Sequence, residues 1–236
     1  MIRLLTTLSA AAILALPASA MSNEADLYLV HGINGMDVGL DEALAVDVTV
    51  DGACAVTGFE FKDIIGPVTL SEGTHAVAVS LSDGACGGAV VIDIEIELPA
   101  HRMLTAVAHL DTSGTPVASL FLNGQGATAP GFGKVRVRHT SNAPSVDITF
   151  RPAGNREGPG VAFPNLSNGR QAVASLSAGN WRARIYPAGS TSKLVGPVPV
   201  PVTADQLLIV YAVGSLSEGT FELIVQELPL NPRPSE

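Results

Sequence analysis

A few polar positions in this sequence could carry chemistry: His31 and His139, Asp47 and Asp147, Asp51, the acidic trio Asp37, Asp41 and Glu42, and the cysteines Cys54 and Cys86. His31-Gly32 follows the apolar run Leu27-Tyr28-Leu29-Val30, as the His-Gly oxyanion loop of a lipase-type hydrolase would. Such an enzyme also needs a Gly-x-Ser-x-Gly elbow between strand and helix. Gly214-Ser215-Leu216-Ser217-Glu218-Gly219 does not supply that spacing. His139 ends an alternating run in the second half as His31 ends one in the first, which points to a shared structural role. An inward imidazole at that place needs a backbone or carboxylate partner.

Asp47 and Asp51 keep a rival reading open, because two carboxylates brought together in three dimensions can hydrolyse a glycan. Asp37, Asp41 and Glu42 form an oxygen-rich cluster without EF-hand spacing, so calcium binding and an ordinary wet acidic loop both stay open. No complete nucleophile, metal or cofactor motif is present, and the expectation is that no catalytic, metal or cofactor residues exist. Trp181 lies on the apolar side of its run and is expected in the core. Arg182 and Arg184 project from the opposite side, with Arg136 and Arg138 as expected neighbours on a solvated face.

Both cysteines stand in the same Asp-Gly-Ala-Cys context, at residues 51–54 and 83–86. An even pair beside turns in an exported chain reads first as a disulfide, with two free thiols as the alternative.

The elements that must hold these residues are short strands. Val46, Val48 and Val50 alternate with Asp47, Thr49 and Asp51, and Ile92, Ile94, Ile96 and Leu98 alternate with Asp93, Glu95 and Glu97. A period of two gives one buried and one wet face. Four runs recur in the same order in the two halves: 27–31 with 135–139, 45–49 with 146–149, Leu70-Ser71-Glu72-Gly73 with Leu176-Ser177-Ala178-Gly179, and the run from Arg102 with the run from Gln206. Ordered recurrence of this kind indicates an internal duplication. Asp93, Glu95 and Glu97 fall opposite Pro197, Pro199 and Pro201. Charge and proline both discourage foreign strands, so an edge strand is predicted there in both copies.

The stretch Val135-Arg136-Val137-Arg138-His139-Thr140-Ser141-Asn142-Ala143-Pro144-Ser145-Val146-Asp147-Ile148 resembles the opening motif of the bacterial domain-of-unknown-function family 4397, and the likeness extends over most of residues 134–226. In the first copy sixteen residues separate His31 from Asp47, against eight from His139 to Asp147, so an eight-residue insertion replaces the Ser-Asn-Ala-Pro step. The resemblance implies secreted or envelope β-sandwich modules, often in tandem, and brings no catalytic residues.

Residues 1–20 read as a signal peptide: Arg3, an apolar run from Leu4 to Leu16, then Pro17 and Ala18-Ser19-Ala20. That run is too short to span a bilayer. The expected organisation is a first acidic repeat at 21–123, a Gly-rich linker at 124–133, a second repeat at 134–228 and a Pro-rich tail at 229–236. The fold class is all-β, two tandem immunoglobulin-like or transthyretin-like antiparallel sandwich units. Residues 21–130 carry fifteen carboxylates against Lys62 and Arg102, a net of −13, while residues 131–236 carry seven against ten basic side chains, a net of +3. The acidic half argues against a nucleic-acid partner. A secreted or periplasmic binding, adhesion or envelope protein with a glycan or protein ligand and no membrane span is the leading expectation.

Overall fold

The computed structural model describes residues 23–154 and 160–232; the expected signal peptide lies outside them. The alternating runs become strands, sixteen among the described residues. The first half holds β1 (Glu24–His31), β2 (Val46–Val50), β3 (Ala53–Phe59), β4 (Ile64–Ser71), β5 (Gly73–Leu81), β6 (Val90–Leu98), β7 (Met103–Leu110) and β8 (Pro116–Leu122). The second holds β9 (Phe132–His139), β10 (Val146–Pro152), β11 (Val161–Leu166), β12 (Arg170–Ser177), β13 (Gly179–Pro187), β14 (Val195–Val202), β15 (Gln206–Val213) and β16 (Glu222–Pro229).

The two halves share one topology. Sheets ordered β4-β1-β7-β8 and β3-β2-β5-β6 recur as β12-β9-β15-β16 and β11-β10-β13-β14. As the acidic and proline rows predicted, β6 and β14 are edges. Pairing is antiparallel except for β1 with β7 and β9 with β15, which run parallel. The sequence shows why the strands turn where they do. Asp51-Gly52 closes the β2–β3 hairpin with φ of 51° and 78°, the left-handed pair that a two-residue turn of the right twist requires and that Asp-Gly supplies.

Three cores follow from the two faces of each strand. Leu27 and Leu29 of β1 face Val48, Val79 and Ile96 inside the first sandwich. Val137, Phe150, Trp181 and Leu208 fill the second. The other faces of β1, β7 and β15 meet each other: Val30 and Val107 pack with Leu207, Ile209, Tyr211 and Val213 in a third core between the halves. The four sheets are therefore stacked face to face, with β3-β2-β5-β6 outermost at one end and β11-β10-β13-β14 outermost at the other.

That stacking corrects the expected position of two arginines. Arg136 and Arg138 do not share a wet face with Arg182 and Arg184. They lie on β9, whose polar side is covered by the first half, and Arg138 has no exposed surface. Its guanidinium donates to Asn123 Oδ1 at 2.6 Å, Tyr211 OH at 2.9 Å and Gln171 Oε1 at 3.3 Å, and it lies over the rings of Phe121 and Tyr211. At the rim, Lys62 pairs with Glu222 at 3.1 Å. The Gly-rich connection is tied down as well, since Lys134 Nζ donates to the carbonyls of Gly124 and Gly126.

Candidate functional site

The strand ends carry the residues singled out by spacing. His31 has its ring buried against Phe59 in an edge-to-face contact. Nδ1 accepts from the Ile33 amide at 3.3 Å, so Nε2 carries the proton and donates to the Leu44 carbonyl at 3.0 Å. His139 repeats the arrangement: Nε2 donates to the Pro144 carbonyl at 3.0 Å and Nδ1 accepts from Ser141 Oγ at 3.3 Å. Leu44 and Pro144 each stand three residues before the aspartate, so the insertion leaves the histidine's partner in place. Burial holds the His31 pKa down at about 4 and lowers that of His139.

Asp47, on β2, has no exposed surface. It accepts from Ser82 Oγ at 2.6 Å and from the amides of Gly58, Asp83, Gly84 and Cys86 at 2.9–3.2 Å. These donors, Ser82 first, pull its carboxyl far below the usual range. Asp147 does the same work with fewer partners, accepting from the amides of Asn165 at 2.7 Å and Gly189 at 2.9 Å. Gly58 and Asn165 both have positive φ, so each aspartate fastens a left-handed kink in the neighbouring strand and the loop after the next.

Asp51 lies outside this arrangement, bonded to His75 Nδ1 at 2.7 Å and to the Ala76 amide. A sugar could not reach the enclosed Asp47, so Asp47 and Asp51 are not a glycosidase pair. His75 Nε2 donates to the Ser71 carbonyl, and at the matching place Trp181 Nε1 donates to the Ser177 carbonyl. Trp181 is in the core, as its strand parity predicted.

Cys54 and Cys86 form a disulfide with Cα atoms 5.7 Å apart, which resolves the open pair as a bridge. It fastens the loop held by Asp47 to β3 across a sequence separation of 32. Reduction is expected to lower stability by about 3–4 kcal/mol through the longer leash of the unfolded chain. Denaturant midpoints with and without reductant check this, and identical midpoints would contradict it.

The acidic insertion is built around Gly35, where a Cβ would fall 1.7 Å from the Asp41 carbonyl oxygen. It contains a 3-10 helix, Gly35–Val38. Asp37 reaches the second half and accepts from Thr220 Oγ1 at 2.6 Å, and burial raises its pKa. Among the described residues no three His, Cys, Asp or Glu side chains stand together at metal-ligand spacing.

Two features escaped the sequence reading. The first is a pair at the buried His109, in which Ser119 Oγ donates to His109 Nε2 at 2.8 Å while Nδ1 donates to the Leu110 carbonyl at 3.0 Å. Gly169 of the second half covers it; a Cβ there would lie 3.5 Å from the hydroxyl. The second is an apolar slot of about 240 Å³ inside the second sandwich, lined by Val137, Phe150, Ala183, Val198, Val210 and Val225 among others. The matching space in the first sandwich is about 30 Å³. Val77, Ile94, Ile96 and Leu120 stand where the second half has the smaller Ala183, Val198, Val200 and Val225, and β6 approaches β8 more closely than β14 approaches β16.

Three of the solved structures that this chain resembles are distant likenesses. The TIE protein of Bacillus anthracis is 10% identical, with 82% of this chain and 33% of that one covered and a TM-score of 0.24. A candidate cell adhesion protein from Bacteroides ovatus is 9% identical, with 89% and 98% covered and a TM-score of 0.29. A streptococcal ancillary pilin is 12% identical, with 79% and 60% covered and a TM-score of 0.23. The chain thus spans a third of the length of the B. anthracis protein. No curated protein matches it. A family model described as a domain of unknown function, DUF4397, matches residues 25–149. That match takes in the strands of the first half and runs through the His139-to-Asp147 motif into β10. With more than half of its length inside the match, the chain belongs to the DUF4397 family.

Proposed function

We propose that this protein is an exported, non-enzymatic binding module of the bacterial envelope, and that it holds an unbranched apolar chain, such as the acyl tail of a lipid, in the slot of its second sandwich. The observation that carries this reading is the slot itself: about 240 Å³, almost wholly apolar, and lined from both sheets by side chains of β9, β10, β13, β14, β15 and β16. A 150 Å³ apolar cavity stays dry and admits benzene, so a site of this size takes a chain of roughly eight to ten carbons. Support for export comes from the disulfide, which needs an oxidising compartment, and from the signal-like order of residues 1–20. Among the described residues no helix is long and apolar enough to cross a membrane. The buried histidines and aspartates support a binding role because their polar atoms are spent on holding loops.

Displacement of a polarity-sensitive dye by decanoate tests the reading. Wild-type protein is expected to bind, and Ala183→Leu, which fills the slot from β13, to bind at least tenfold more weakly while gaining about 0.5–2 kcal/mol of stability. Equal binding by both would overturn it.

A further inference from the structure

We propose that copies of this protein associate head to tail, the acidic outer sheet of one docking on the arginine-bearing outer sheet of the next. The stacking puts the two outermost faces at opposite ends of the molecule, and the duplication makes their positions comparable one by one. On the first, β6 presents Asp93, Glu95 and Glu97, all exposed. Asp93 and Glu95 stand beside Ala78 and Ala76 of β5. On the second, β13 presents Arg182 and Arg184 where β5 has those alanines, and β14 presents Pro197, Pro199 and Pro201 where β6 has the acids. Arg151 of β10 lies directly across from Arg182. Each face therefore carries long charged side chains where the other carries short neutral ones, and the charges are opposite.

Charge on β6 and proline on β14 discourage strand pairing along those two edges, and the faces beside them carry the complementary charges. A patch that binds a different patch at the far end of the next copy makes a heterologous contact, which grows into open chains unless its rotation closes a ring. A self-complementary two-fold dimer is not the expected product.

Sedimentation velocity on the exported protein, and on two variants altered only at exposed or half-exposed positions, provides the test. Wild-type weight-average mass should rise with concentration at about 20 mM salt and fall to that of one chain at about 0.5 M, where charges are screened within a few ångströms. Arg182→Glu with Arg184→Glu should stay monomeric, as should Asp93→Lys with Glu95→Lys. In an equimolar mixture the intact acidic face of one variant meets the intact basic face of the other, and the two reversed faces attract each other as well, so association should return as chains in which the variants alternate. Wild-type protein monomeric at every salt concentration, undiminished association of either variant alone, or a mixture that stays monomeric would each overturn the proposal.

Discussion

Lowering the pH from 6.5 to 4 should remove about 3 kcal/mol of stability through His31 alone. Its imidazole is 1% exposed, and both ring nitrogens are committed, one to an amide and one to a carbonyl. Burial, the leading cause, lowers its pKa to about 4. Because the folded value lies below the unfolded one, the unfolded chain takes up the proton first as pH falls. The contribution is complete above pH 6.5 and is lost on the way down to 4. His109 and His139 are lowered for the same reason and add in the same direction. His75 works oppositely: Asp51 raises its pKa, so its contribution is present below pH 6.5 and disappears as pH rises through the raised value. Asp47 acts in a separate window, losing its contribution below its ordinary value of 3.8.

Urea midpoints across this range, beside an NMR titration of the ring protons, check the expectation. His31 titrating near 6.5 in the folded protein would refute it. In the same assay at pH 7.5, His139→Ala should cost about 1–3 kcal/mol by orphaning its buried partners.

Arg138→Ala should destabilise the protein by about 1–3 kcal/mol for each buried polar partner it leaves unsatisfied. The guanidinium is fully enclosed and bonded to three neutral acceptors, and burial pushes its pKa down to about 10. Its removal leaves Asn123 and Tyr211 short of a donor and opens a gap between two rings. Tyr211 also donates to Gln226 at 2.6 Å, so a double-mutant cycle of Arg138→Ala with Tyr211→Phe should show clear coupling. Calorimetry of the four proteins provides the measurement. A loss under about 1 kcal/mol, within the range of surface substitutions, would mean that this network does not hold the halves together.

The contrast between Arg138 and Arg182 marks how far the sequence could be read. Both alternate with apolar residues in strands that read identically as half-wet. A period of two separates the faces of a strand but does not say what lies on the polar one. At β13 it is solvent; at β9 it is the other half of the same chain. Edge strands were legible because their acidic and proline rows are local signals of an unpaired side. His31 and His139 were legible as a recurring pair, since their partners lie within the same strand-to-strand connection. The matched amide donors to Asp47 and Asp147 were not, because Gly58 and Asn165 come from the paired strands β3 and β11 and Gly84 and Gly189 from loops that pairing brings alongside. The slot was hidden for a related reason. Exchanging one apolar residue for another of different size leaves the hydrophobic pattern intact and alters only the space between sheets.

Amide chemical-shift mapping with decanoate tests the proposed binding function most directly. Saturable shifts should appear along β10, β13, β14, β15 and β16, vanish in Ala183→Leu, and spare the first sandwich, whose matching space is eight times smaller. Absence of shifts, or shifts confined to the first half, would contradict the proposal that this family member holds an apolar chain between the sheets of its second copy.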